Sequence, residues 1–367
     1  MKNSILVFFL LMLFLSCNND KQNERLKNAI NFETEQIQQF NLPPDSIISI
    51  TGNKGTKLTF KIEDLEGLIN GTTITDSLQI NLIELTSKQD LLYVNAQTVS
   101  NGKWLISGGA FKIDILAKKG GESLTLKKGK TINVVFPKSI NKTGMQLFYG
   151  ERDGFGNLNW EKSNLKLDEK KYFSIFYTLA SQLDSTLTRD YGIDVVEDYF
   201  ISDTLGYLTL NEYKLKHPKT DSIYFVNDTL SNLKSWRNYK DFLSDISQYQ
   251  IITQSFYNNI EIEKLGWINI DQFAPEEEKV VIKLSFQPNI EIVQTFLIDQ
   301  RNNTLVSFYK DELIIPINRS FHFICFGIND GSYYAYKKSV RFNKNGEYLV
   351  GFKKVKKNQL KSILKLD

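Results

Sequence analysis

The chain is poor in the residues that do most protein chemistry. Its 367 residues include two cysteines, Cys17 and Cys325, and two histidines, His217 and His322. Two histidines exclude a three-histidine metal centre and leave almost no material for a Ser–His–Asp triad or a Cys–His pair. One long hydrophobic run, Ile5 to Leu15, is shorter than the roughly 20 apolar residues that a membrane-spanning helix needs. A dominant charge is also missing. The net charge is +3 with both signs mixed, so composition does not support a nucleic-acid partner. There is no Gly-x-Ser-x-Gly, His-Glu-x-x-His, phosphate-binding glycine loop, Cys-x-x-Cys or dinucleotide fingerprint. The expectation is a protein that is not an enzyme and uses no cofactor or metal.

What is present begins at Cys17. Lys2 precedes the apolar run, which ends Leu13-Phe14-Leu15-Ser16 before the cysteine. A basic start, a short apolar stretch and a small residue before cysteine are the parts of a lipoprotein signal, cut ahead of a cysteine that then carries lipid. Phe14, at a position usually held by Leu, resembles the looser lipoprotein signals of Bacteroidota-type bacteria. By the same resemblance, Asn18 after the cysteine implies the outer membrane, and Asp20-Lys21 implies export to the cell surface. Residues 1–16 are thus expected to be a signal peptide, and 17–45 an acylated cysteine with a tether or spacer. Asn18 to Glu24 is polar and suggests an unstructured tether. Residues 25–42 read as an amphipathic helix or spacer ending at Pro43-Pro44. With Cys17 lipidated, Cys325 has no disulfide partner. Its alternation with Phe321 and Phe323 predicts a small buried residue.

The remaining chain reads as mainly β: two antiparallel β-sandwich domains, 46–138 and 265–367, separated by a mixed α/β middle region, 139–264. Leu78 to Leu85 and Phe111 to Ile115 alternate apolar and polar residues, the period of a half-buried strand. Asn70-Gly71, Asn101-Gly102 and Gly120-Gly121 punctuate the first block as turns, and Asp330-Gly331 and Asn345-Gly346 punctuate the last. Seven candidate strands between Val280 and Val355 suit an immunoglobulin-like sandwich. In the middle, Leu230, Leu233, Trp236, Tyr239, Leu243 and Ile246 recur at spacings of three and four, which predicts a helix near 231–246 capped by Ser231.

The first block resembles the leading sandwich of a family of Bacteroidota surface proteins, akin to the sandwich of ankyrins and netrin receptors. Gly55-Thr56-Lys57-Leu58-Thr59-Phe60, Ile80 to Leu85, Asp90-Leu91-Leu92, Thr98 and Ser107-Gly108-Gly109-Ala110-Phe111 carry the resemblance, with Gly266-Trp267-Ile268-Asn269-Ile270-Asp271-Gln272-Phe273 further on. The chain departs from the family at Ile270 and Gln272, where relatives hold cysteine and arginine. The resemblance implies a surface location and a sandwich fold, and carries no catalytic signature.

Few residues point to ligands. Trp104, Trp160, Trp236 and Trp267 could stack on sugars, although core packing accounts for most such aromatics. Trp104, beside the Asn101-Gly102 turn, is the best exposed candidate, with Tyr333 and Tyr334 after the Asp330-Gly331 turn. Asp153-Gly154-Phe155-Gly156-Asn157 lacks the further carboxylates of a calcium loop and reads as a turn. Glu276-Glu277-Glu278 reads as a solvated loop. The basic segment Lys337 to Lys361 suits either a solvated strand face or an anionic surface such as lipopolysaccharide. Asp-Ser or Asp-Thr followed by an aliphatic residue or Thr recurs at Ser46, Ser77, Ser185, Thr204, Ser222 and Thr229. This matches an O-glycosylation pattern of exported Bacteroidota proteins, and such pairs also serve turns and strand starts. The functional expectation is a non-catalytic binding or structural module anchored in the bilayer, with an unknown protein or glycan ligand. The alternatives are a glycan-uptake binding lipoprotein and, further off, a carboxylate-only glycoside hydrolase.

Overall fold

The computed structural model describes residues 20–44, 47–68, 77–139, 144–153, 156–165, 167, short strands between 171 and 235, 256–308 and 311–366. Residues 1–19, which hold Cys17 and the stretch expected to be a signal peptide, lie outside these residues.

The fold is mainly β. Its first compact unit takes the chain up to Leu167 and from Asn259 onward. A seven-stranded sheet runs in the order Gln38–Leu42, Leu78–Leu85, Lys103–Ala117, Gly266–Phe273, Gln146–Arg152, Leu158–Lys162, with Val99–Ser100 pairing to Lys103–Ala117. A four-stranded sheet of Phe256–Ile262, Ile132–Pro137, Lys57–Lys61 and Ile47–Thr51 accompanies it. Alternation in Leu78–Leu85 buries Leu78, Ile80 and Leu82 on one face and Ile83 and Leu85 on the other. The first face joins Leu58, Phe111, Ile113 and Phe136 in the sandwich interior, where the Phe111 and Phe136 rings are 4.4 Å apart.

The last hundred residues form a three-stranded sheet (Glu312–Pro316, Lys279–Gln287, Gly346–Gly351) and a five-stranded sheet (Leu305–Phe308, Ile292–Asp299, Ser320–Asn329, Ser332–Arg341, Lys353–Val355). Val280, Leu297, Leu313, Phe321, Phe323 and Cys325 pack within this second sandwich. Expected to be wholly antiparallel, it contains one parallel pair, Lys279–Gln287 with Gly346–Gly351, because a long excursion through the other sheet separates the two strands. Asn101-Gly102 and Asp330-Gly331 both have left-handed backbone at their two residues, as tight two-residue hairpins require.

Four expectations change. Gly266–Phe273 does not open the last sandwich. It is a central strand of the seven-stranded sheet, and Trp267 to Asp271 are buried throughout, as a strand covered on both faces must be. Gln146–Arg152 and Leu158–Lys162 likewise belong to that sheet rather than to a mixed middle region. The polar tether is helical from residue 20 to 30, because Leu26, Ala29 and Ile30, spaced three and four apart, are buried in the core. Gln38–Leu42, placed in the helix or spacer by sequence, is an edge strand with Phe40 opposite Ile80.

Residues 168–258 form the second unit. Its described parts are short strands, including Tyr224–Asn227 paired antiparallel with Asn232–Ser235. The helix expected near 231–246 therefore does not include Asn232–Ser235. Cross-strand pairing to an aromatic and β-branched segment overrides the local helical spacing there. Residues 236–246 lie outside the described residues.

Candidate binding cleft

The two sandwiches of the first unit share one buried cluster. Ile83, Leu85, Phe148, Trp160 and Trp267 from the seven-stranded sheet meet Phe296, Ile298, Ile324 and Phe326 from the five-stranded sheet. Hydrogen bonds stitch the seam. Thr98 N donates to Leu305 O at 2.7 Å, Leu305 N to Thr98 Oγ1 at 3.0 Å, Thr304 Oγ1 to Leu105 O at 2.7 Å and Ser107 N to Asn303 O at 2.8 Å. Trp160 Nε1 donates to Gln97 O, while Gln97 Nε2 donates to Leu158 O at 2.8 Å.

Trp104 stands where this seam opens to solvent. It leaves the long Lys103–Ala117 strand, lies half-buried, and meets Phe321 of the other sandwich edge-to-face at 6.0 Å. Two recesses flank it. One, about 720 Å³, is lined by Val99, Trp104, Asn157, Ser307, Phe308 and Ile314 among others. The other, about 300 Å³, is lined by Trp104, Phe273, Pro275, Glu277, Pro316 and Arg319 among others. Lys279 lines both. Ile314 is 52% exposed and Phe273 39%, so the cleft offers apolar surface to solvent.

The floor of the smaller recess is fixed by charge. The Arg319 guanidinium donates to both carboxylate oxygens of Glu277, through Nε at 2.7 Å and Nη2 at 2.5 Å, and to Asp299 Oδ2 at 2.9 Å. The hydrogen bonds to Glu277 hold the guanidinium above its already high pKa, against its own desolvation. Asp299 is buried and also accepts from Arg301 N and Asn302 N. Glu277 lies on an exposed loop, as the sequence predicts, and from there it also pairs with Arg319 at the cleft.

The other candidates do not gather here. Tyr333 is 5% exposed, and its hydroxyl accepts from Arg25 Nε at 3.2 Å, so it offers no stacking face. Its strand turns it into the core shared by the two sandwiches. Tyr334 is half-buried against the second sandwich's core, opposite Lys354. Trp160 is fully buried and Trp267 6% exposed, both in the core; Trp236 lies outside the described residues. Ser77 is half-buried directly before the Leu78–Leu85 strand, its carbonyl accepting from Lys118 N at 2.8 Å. Ser46, Ser185, Thr204, Ser222 and Thr229 lie outside the described residues. Asp153 accepts from Asn157 N within its own turn, and no group of three potential metal ligands occurs among the described residues. Cys325 is buried against Thr295 Oγ1 at 3.4 Å, and desolvation pushes its thiol up to about 12.

Among the described residues two further carboxyls are buried, and both serve structure. Glu84 accepts from Gln38 Nε2, Lys54 N and Thr56 N, each at 2.8 Å, and so pins the turn between Ile47–Thr51 and Lys57–Lys61. Asp271 lies at a β-bulge, where Gly266–Phe273 slips register against Lys103–Ala117. It accepts from Asn269 Nδ2 at 2.6 Å, and Ser107 Oγ donates to Asn269 Oδ1 at 3.0 Å. Desolvation raises the Asp271 carboxyl from 3.8 to about 8, outweighing the hydrogen bond it accepts from Asn269.

Trp104 is the one cleft residue that the sequence offers as a ligand-stacking side chain; Glu276, Glu277 and Asn157 read there as loop and turn residues. The rest come from 97–103, Asn157, 273–279 and 306–319, segments with no shared motif. No family model matches the chain, and neither a characterised protein nor a solved structure matches it.

Proposed function

We propose that the protein is an outer-membrane lipoprotein, held by acylated Cys17, that binds a ligand in the Trp104 cleft without transforming it. The observation that carries the binding reading is the seam itself. An indole, two proline edges and exposed Ile314 and Phe273 surround recesses whose walls are locked by inter-sandwich hydrogen bonds. A preformed apolar cleft with a few convergent polar groups is the usual form of a binding site. The short basic and apolar leader before Cys17 supports the anchor.

Photocrosslinking in intact outer membranes tests this. A photoreactive residue replacing Lys103, at the cleft, should form a discrete adduct that disappears in Trp104→Ala. The same residue at Lys128 should form none. An adduct indifferent to Trp104 would reject the cleft. Retention of Cys17→Ser on salt-washed membranes would reject the anchor.

A second reading, a carbohydrate ligand, is favoured by the larger recess. There Trp104 stands beside Gln97, Asn157, Ser307 and Glu312, a stacking ring next to amide, hydroxyl and carboxylate groups. Binding of the purified protein on a glycan array, lost in Trp104→Ala, would select it.

A further inference from the structure

The helix at 20–30 bears on how the protein meets its membrane. From Cys17 to residue 20 the chain has three peptide steps, a reach of about 11 Å when extended. The helix is no spacer: Leu26, Ala29 and Ile30 are built into the core, and Arg25 stacks on the Tyr333 ring at 5.5 Å from its centroid. A lipid on Cys17 would therefore keep the body itself close to the headgroups.

The surface beside that helix is basic. Tyr333, the partner of Arg25, pairs with Val355 in the edge strand Lys353–Val355. From residue 353 to 366 there are six lysines and no carboxylate. Lys353, Lys354, Lys356 and Lys357 are exposed, and among the described residues none has a carboxylate at ion-pair distance. Alternation along the strand throws Lys353 and Lys354 to opposite sides of the edge, with Lys356 continuing the side of Lys354. Lys21 and Arg25 lie four apart, on one side of the helix. Among the described residues, Asp20 and Glu24 share the helix with Lys21 and Arg25, and Asp330 precedes Gly331 beside Arg25. Lys361 is already paired with Glu35 and is not one of the docking cations.

We propose that this end of the second sandwich, the lysine-bearing sheet edge with Lys21 and Arg25, docks on anionic phospholipid headgroups of the bilayer that holds Cys17. The inference rests on the lipoprotein reading. The short reach to Cys17 is comparable with the roughly 8 Å screening length at physiological salt, so the surface attraction acts without first ordering a long tether. An edge rich in lysine also discourages strand-to-strand aggregation, and that role alone predicts no response to lipid charge.

The test uses the full, naturally processed protein reconstituted into vesicles of phosphatidylcholine alone or with phosphatidylglycerol. Flotation and intact mass report the anchor. Amine acylation read by peptide mass spectrometry reports the surface. Lys353, Lys354, Lys356 and Lys357 should react about fivefold more slowly in the anionic vesicles than in the neutral ones. The difference should vanish at high salt, and Lys61 and Lys128 should react alike in both. Flotation with equal labelling in the two lipids overturns the docking alone and leaves the lysines as edge guards. Failure to float on neutral vesicles, with no acyl mass on Cys17, overturns the anchor and the docking with it.

Discussion

Asp271 loses its water completely in the folded chain, and that has a measurable cost. Its carboxyl rises from 3.8 to about 8 because burial penalises the charge, so at neutral pH it folds protonated. In the unfolded chain the same group ionises near its ordinary value. Between pH 4 and 8 the unfolded state thus binds fewer protons than the folded state, and stability must fall as pH rises through that window. At about 1.4 kcal/mol per pH step, Asp271 alone removes about 5 kcal/mol across the whole window, and about 4 kcal/mol of it between pH 5 and 8. Asp271→Asn keeps the volume and an oxygen to accept from Asn269 Nδ2, and it cannot ionise. Urea unfolding of both proteins at pH 5 and pH 8 measures the effect, because every other titrating group cancels in the difference. The variant should gain about 4 kcal/mol on the wild type over that interval. A difference constant within about 1 kcal/mol would mean that Asp271 titrates near its ordinary value, and the argument from burial would fail.

Other perturbations are as direct. A Cβ on Gly150 would lie 2.4 Å from the Trp160 ring, so Gly150→Ala should cost about 1–3 kcal/mol in urea unfolding and change the tryptophan emission. Arg319→Ala leaves Asp299 buried without its guanidinium, and a loss of about 3–5 kcal/mol is expected; Arg319→Lys should recover only part, since an ammonium cannot span both Glu277 oxygens. Cys325 should resist a thiol reagent at pH 8 until the protein is unfolded, because it is buried and its thiolate is disfavoured; rapid native labelling would contradict its placement.

Much of the fold is legible in the chain where burial has a period. Leu78 to Leu85 alternates and forms a strand over those residues, and the runs after Val280 become strands within a few residues of their expected bounds. Asn101-Gly102 and Asp330-Gly331 mark their hairpins because left-handed backbone at two adjacent positions favours Asn, Asp and Gly. The reading loses its hold where partners are distant. The residues from 20 to 24 are polar enough to read as a tether, and a helix forms there because Leu26 and Ile30 find a core assembled from both sandwiches. As a ligand site the cleft was legible only at Trp104. Glu277 is exposed as expected, but its pairing with Arg319, 42 positions away, leaves no mark in the local sequence.

By itself the sequence determined the strand periods, the turns, the scarcity of catalytic side chains and the short apolar run before Cys17, all of which depend on residues near one another. Tertiary structure alone decided which sheet Gly266–Phe273 enters, that the two sandwiches share a core, and that Trp104 stands at their open seam. Sheet order and seam contacts are set by pairings between segments far apart in the chain, such as Thr98 with Leu305 at a separation of 207. Their stability comes from joint burial and backbone pairing, which no local pattern records.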